Sequence, residues 1–226
     1  MLKHLVAISL ALGSSAAVAA DLGVMKAPPL APVYAVNWTG FYIGGEVGYV
    51  WGRADSIAIP TGVTFRGQPR GVIGGVFAGY DYQLPNNFVV GARVAAPVFT
   101  SARDTLEDAF NPGLFYRAEV RWAVLGTLQL GYAMGNWMPY IGGGIGVGEG
   151  RGTVTGNLFP GDATNTHVGY VFNAGLKVLM TPNWFAGVHY THTGWSKEDY
   201  TFQAAAFTTT TAFSTDSVMA QLGYKF

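Results

Sequence analysis

Residues 116–132 read Tyr-Arg-Ala-Glu-Val-Arg-Trp-Ala-Val-Leu-Gly-Thr-Leu-Gln-Leu-Gly-Tyr. Tyr116, Ala118, Val120, Trp122, Val124, Leu128, Leu130 and Tyr132 alternate with Arg117, Glu119, Arg121, Thr127 and Gln129. Successive side chains of a strand point to opposite faces, so one face is oily over its whole length while the other carries three charges. A strand of that kind cannot bury both faces in one apolar core. It separates two different media.

The same alternation recurs on both sides of this stretch. Toward the N-terminus, Phe41, Ile43, Gly45, Val47, Tyr49 and Trp51 oppose Tyr42, Gly44, Glu46 and Gly48. Val72, Val76, Ala78, Tyr80 and Tyr82 oppose Gly75, Gly79 and Asp81, and Phe88, Val90, Ala92, Val94 and Ala96 oppose Gly91 and Arg93. Toward the C-terminus, Ile141, Ile145 and Val147 face away from Tyr140 and a row of glycines; Val168 to Val178 faces away from Asn173 and Lys177. Trp184 to His192 and Val218 to Phe226 complete a set of eight segments. An even number is what single-chain bacterial outer-membrane barrels use.

Trp122 to Gly148 is uncharged and long enough for a transmembrane helix. Its many glycines, Pro139 and period-two polar positions fit a hairpin turning at Ala133 to Asn136 instead. Connections alternate in length. Leu84 to Asn87, Ala133 to Asn136 and Thr181 to Asn183 are tight and rich in turn formers, whereas Gly52 to Arg70, Thr100 to Gly113, Gly150 to Thr166 and Gly194 to Ser214 are several times longer. The pattern predicts an all-β, eight-stranded antiparallel up-and-down transmembrane barrel with periplasmic turns and long extracellular loops. In hydrocarbon an unpaired backbone N–H or C=O costs several kcal/mol, so the sheet must close on itself. Trp38, Phe41, Tyr80, Tyr82, Phe88, Tyr132, Trp137, Trp184, Tyr224 and Phe226 fall near the turn end, where an aromatic girdle belongs. A soluble lipocalin-like barrel would invert the faces, and the small, sparsely charged face here cannot cover a water-facing exterior.

Composition agrees. Charged residues are 12% of the chain, about half the roughly 25% of soluble domains, while glycine is 32 of 226 residues and aromatics reach 14%. Zero formal net charge gives no basic field for nucleic acid, and the absence of Cys removes disulfides, thiolate catalysis and Cys-type zinc sites. Met1 to His4 is a positive n-region, Leu5 to Leu12 an apolar h-region, and Ala16 to Ala20 supplies small residues, so residues 1–20 are predicted to be a cleaved signal peptide. Residues 21–37, with Pro28, Pro29 and Pro32, read as a Pro-rich periplasmic linker, and 38–226 as the barrel domain of a cell outer-membrane protein.

Several motifs carry a family likeness. Trp38-Thr39-Gly40-Phe41-Tyr42-Ile43-Gly44-Gly45, Gly79-Tyr80-Asp81-Tyr82-Gln83, Leu130-Gly131-Tyr132-Ala133, Pro139-Tyr140-Ile141-Gly142-Gly143-Gly144 and Leu222-Gly223-Tyr224-Lys225-Phe226 resemble the small porin-like outer-membrane β-barrel family of α-proteobacteria, which belongs with the OmpA-like and opacity-type eight-stranded barrels. The ending also resembles the barrel-assembly signal, with Val218, Ala220, Leu222, Tyr224 and Phe226 at alternate positions. That implies the barrel-assembly machinery as a partner during insertion. Gly126 to Leu130 and His189-Tyr190-Thr191 depart from the family pattern, where Arg residues and an acidic-Tyr-Arg pattern are usual.

Glu46, Asp81, Arg93, Arg117, Glu119, Arg121, Lys177 and Lys225 alternate onto the predicted lumen face and roughly balance in sign, five basic against three acidic. Buried charges must pair, so the expectation is a bore plugged by paired charges in a protein of envelope integrity and surface interaction. The alternative is a porin-type passive conduit for ions or small solutes. His189 and His192, three apart on a strand, point to opposite faces and cannot share a metal. His167 and His192 lie at the loop-side level with Asp162, Ser196 and Asp199, yet no spacing assembles them into a catalytic group, so no enzyme, metal or cofactor is expected. Outer-membrane lipid and lipopolysaccharide are the expected partners, with no nucleic acid and a monomer as the plausible state.

Overall fold

The computed structural model describes residues 36–59, 64–101, 104–107, 115–155, 161–202 and 207–226, within a compact unit spanning Ala35–Phe226. The predicted signal peptide and most of the linker, 1–35, lie outside the described residues. Every regular element described is a strand: β1 Gly40–Ile59, β2 Thr64–Gly67, β3 Arg70–Gln83, β4 Phe88–Thr100, β5 Asp104–Glu107, β6 Phe115–Tyr132, β7 Trp137–Thr155, β8 Gly161–Leu179, β9 Trp184–Phe202 and β10 Phe207–Lys225.

These form eight staves. β2 and β3 both pair with β1 and make one strand interrupted at Gln68 and Pro69, and β5 takes up against β6 where β4 leaves off. Neighbours follow the order β10-β9-β8-β7-β6-β4-β3-β1, all antiparallel, and β1 pairs with β10 from Tyr42↔Lys225 to Ile59↔Thr208. Closure leaves the membrane-crossing strands without a free edge, as hydrocarbon requires.

The turn end matches the sequence pattern. β3 and β4 are joined by Leu84–Asn87, where the Asn87 N–H donates to Leu84 O at 3.0 Å and Asn87 takes a φ of 66°; β6 and β7 are joined by Ala133–Asn136, with Gly135 at 61°. Asn and Gly are the residues that tolerate this left-handed backbone. At the opposite end much of three predicted loops, 52–70, 150–166 and 194–214, is paired strand, and the remaining one, 100–113, contributes the short β5. β7 to β10 run for 19 residues each, about 63 Å at roughly 3.3 Å per residue, whereas roughly 9 to 11 tilted residues cross a bilayer. The Gly-, Thr- and Ala-rich composition there forms hairpins that continue the ladders past the hydrocarbon.

Alternation holds through the membrane-crossing part. Phe41, Ile43, Val47, Leu128, Ile141, Ile145 and Phe172 are exposed on the outside, while Tyr42, Phe77, Asp81, Arg93, Gln129, Lys177 and His189 are buried inside. The large inward side chains stand opposite glycines. Tyr42 pairs with Gly79, Phe77 with Gly44, Asp81 with Gly91, His189 with Gly175 and Phe185 with Gly223. A Cβ on Gly175 would lie 2.6 Å from His189 Cβ, and one on Gly91 would overlap the Asp81 carboxylate. The glycine content therefore gives the bulky row room inside a bore only eight strands around.

Two readings change. A bulge between Val120 and Trp122 leaves Arg121 as the extra residue, so the alternation changes phase there. Glu119 stands in register with Arg151 and Arg117 with Thr153, so a lumen position for Arg117 and Glu119 does not follow from the register; the side chains of Arg117, Glu119 and Arg121 lie outside the described residues. Trp38 is not a girdle residue. It is 1% exposed, the residue before the first strand turned in beneath the barrel.

Candidate functional site

The interior of the barrel is the site, built in layers from the turn end. Trp38 forms an apolar floor with Val89, Ala133, Met138 and Leu179. Its backbone N–H donates to Gln83 Oε1 at 2.9 Å and its indole Nε1–H to Gly135 O at 3.3 Å. An indole that finds a partner for its N–H can be buried without cost to that group, which fixes the ring under the bore.

Above the floor sits Lys177, 1% exposed. Its ammonium donates to Asp81 Oδ2 at 2.9 Å and Gln129 Oε1 at 3.2 Å, and lies 4.6 Å from the ring centre of Tyr42 and 5.0 Å from that of Tyr140. β8 and β3 are four staves apart in a ring of eight, so this pair spans the diameter. Arg93 donates to Glu46 in a charge-assisted bond, and its guanidinium stacks 4.5 Å from the Phe77 ring centre. His189 Nε2 lies 3.7 Å from the same Glu46 carboxylate. Further inside contacts join Gln221 Nε2 to Tyr140 Oη at 3.3 Å and Asn173 Nδ2 to Thr127 Oγ1 at 3.4 Å.

Glu46, Asp81, Arg93 and Lys177 are thus brought together inside the bore. Lys225 is partly buried at its turn end, with Nζ donating to Thr39 O at 3.3 Å. Sequence reasoning missed the contributions of Tyr42, Tyr140, Gln129 and Gln221; the signal was present, because all four share the inward phase of their strands. Val218, Leu222 and Phe226 are exposed on the outer face of β10 or just after it, with Ala220 beside them and Tyr224 partly covered.

The histidines separate as their spacing requires. His189 is inside, while His192 is on the outer face, where its Nδ1 meets Asp216 Oδ1 at 2.7 Å. His167 Nδ1 lies 3.3 Å from the Ser196 backbone oxygen, and Asp199 accepts from Thr210 Oγ1 at 2.6 Å. The acid beside His192 is therefore Asp216 rather than Asp199, and the Asp162 side chain lies outside the described residues. Among the described residues no group of three or more metal-ligating side chains converges.

A closed antiparallel barrel with an apolar outer belt, aromatic rims and a charged, side-chain-filled bore defines a transmembrane β-barrel of the outer-membrane class. The chain belongs to the outer membrane protein beta-barrel domain family, whose model matches residues 7–226. It is 30% identical over 219 residues to the 31 kDa outer-membrane immunogenic proteins of Brucella melitensis and Brucella suis, covering 84% of this chain and 85% of each relative. These α-proteobacterial relatives agree with the family read from the motifs. Among solved structures it is similar to the outer membrane protein OprG from Pseudomonas aeruginosa, with a TM-score of 0.54 at 14% identity, covering 84% of this chain and 97% of that one. The protein is an outer-membrane β-barrel.

Proposed function

We propose that the bore is sealed and that the protein serves envelope integrity and surface interaction as a monomeric, non-enzymatic barrel. The observation that carries this reading is the Lys177–Asp81 pair, which crosses the bore with aromatic rings around the ammonium and the Trp38 floor beneath it. Ions or solutes passing through would have to displace a buried, hydrogen-bonded charge pair, and parting such partners leaves each one desolvated and alone. Residues 1–20 direct export and are removed, and residues 21–37 tether the barrel on its periplasmic side. The long hairpins then face outward, with lipopolysaccharide and outer-membrane lipid around the belt and the barrel-assembly machinery as the partner during insertion.

A porin-type conduit is the second reading, and one observation favours it. Tyr42 Oη, Arg93 Nε, Gln129 Nε2, Asn173 Oδ1, His189 Nδ1 and Gln221 Oε1 are buried polar atoms with no protein partner. Buried polar groups are satisfied by water where protein does not serve, so this bore suits internal hydration. Hydration of separate pockets is compatible with a seal; a continuous column is not.

Planar-bilayer conductance of the refolded full chain decides between the two. The sealed barrel gives no steady openings in molar salt. Steady, salt-dependent openings that disappear on altering Arg93 or Glu46 establish the conduit and overturn the seal.

A further inference from the structure

On the outer wall, polar chemistry interrupts the apolar belt at one level. The cross-strand row Trp51, Asp216, His192, Phe172 runs over β1, β10, β9 and β8. The row on the turn side is Tyr49, Val218, Tyr190, Ala174, and the row on the loop side is Arg53, Ser214, Gly194, Tyr170. On β1, β9 and β10 apolar and aromatic groups thus give way to polar ones or glycine within two to four residues, while β8 keeps an aromatic edge with Phe172 and Tyr170. Aromatics flank the transition: Tyr49 stacks on Trp51 at 6.5 Å, Trp51 lies 6.5 Å from Tyr190, and Tyr170 lies 5.9 Å from the His192 ring. Rings at this density mark the membrane–water boundary, where one side of each ring is dry and the other wet.

We propose that this rim is a binding site for the phosphate of a phosphorylated glycolipid in the surrounding leaflet, with Arg53 and His192 as the phosphate-contacting residues. Asp216 and Tyr190 are positioning residues. Tyr190 Oη donates to Asp216 Oδ1 at 2.5 Å and His192 Nδ1 meets the same oxygen at 2.7 Å, so that oxygen is occupied by its neighbours and the imidazole is held by one nitrogen. The ring's other nitrogen, Nε2, remains for an external acceptor, and the side chain is 32% exposed. Arg53 is exposed on the same face, two residues along β1 from Trp51, and its charge bears on the Asp216 carboxylate, which places the guanidinium beside the same group that holds His192. A guanidinium matches phosphate oxygens in a bidentate geometry, and a ring with protons on both nitrogens, one toward Asp216 and one toward the phosphate, adds a second donor when the anion is bound. The flat faces of Trp51, Phe172 and Tyr170 suit the apolar face of a sugar ring, which favours a glycolipid over a glycerophospholipid, and the belt below accepts acyl chains.

The site rests on the outer-membrane placement with the hairpins outward, and not on whether the bore conducts. Its test uses the refolded full chain in detergent, titrated with bisphosphorylated lipid A, dephosphorylated lipid A and phosphatidylglycerol, and bound lipid counted by native mass spectrometry. Bisphosphorylated lipid A should bind at least tenfold more tightly than the other two. R53Q combined with H192Q should remove that preference, and D216N alone should weaken it less. The variants should keep heat-modifiable gel migration, which reports an intact barrel. Equal binding of all three lipids by the native chain, a preference for phosphatidylglycerol, or unchanged lipid A affinity in the folded double variant would overturn the site. Bilayer conductance of the double variant should equal that of the native chain, so the fate of this site and of the seal are read separately.

Discussion

Lys177 on β8 and Asp81 on β3 meet across the full width of the barrel, Nζ to Oδ2 at 2.9 Å, although 96 residues separate them in the chain. Both are essentially buried, at 1% and 4% side-chain exposure. The pair joins opposite walls, so it acts on the cross-section of the bore as well as on its charge.

Removing one partner is expected to cost more than removing both. Lys177→Met strands the Asp81 carboxylate in a dry interior, and the loss should be about 3–5 kcal/mol. Lys177→Met with Asp81→Leu leaves no buried charge and should recover most of that stability. Urea unfolding in detergent micelles or vesicles checks it; a double variant as unstable as the single one sinks the pairing argument.

Trp38→Ala empties the floor. Loss of a buried Trp costs about 3–5 kcal/mol, so midpoint denaturant concentration should fall clearly. On the sealed-bore reading, bilayer conductance should nevertheless stay absent, because the Lys177–Asp81 pair spans the bore above the floor. Openings in this variant would show that the indole alone made the seal.

Gly44 faces Phe77 across the β1–β3 pair, and a Cβ there would also strike the Leu222 backbone. Gly44→Ala should destabilise the barrel by about 1–3 kcal/mol through overpacking. Gly45, on the outer face with its nearest neighbour atom 3.8 Å from a built Cβ, should accept Ala with little change. Heat-modifiability curves on the two variants give the comparison directly.

Asn87 holds the β3–β4 turn at a φ of 66°. Asn87→Gly should be neutral to slightly stabilising, whereas Asn87→Val forces a β-branched side chain into the left-handed region and should cost about 1–2 kcal/mol. Refolding yield into lipid vesicles should fall for Val alone.

The eight staves, the three tight turns and the inward position of Glu46, Asp81, Arg93 and Lys177 were legible because a period of two survives wherever one face meets lipid. What the sequence hid has physical causes. Arg121 sits in a bulge, and one extra residue reverses the phase of everything before it while leaving composition unchanged. Trp38 looks like any rim aromatic until its N–H groups are seen to have partners at Gln83 and Gly135. The extent of the hairpins beyond the bilayer was masked because Thr-, Gly- and Ala-rich strand outside lipid has no oily face to announce it. Specific pairings across the bore depend on which staves oppose one another, a property of closure and not of any local motif.

The facing of each large inward side chain by a glycine has a consequence for how this lumen can change over generations. Volume in the bore is held in pairs: Tyr42 with Gly79, Asp81 with Gly91, His189 with Gly175. A larger residue can enter at one member only as its partner shrinks, so the pairs drift together or not at all. Descendants of this chain can therefore move an interior charge from one wall to the neighbouring one by a two-site exchange, keeping the outside of the barrel untouched while redrawing its interior.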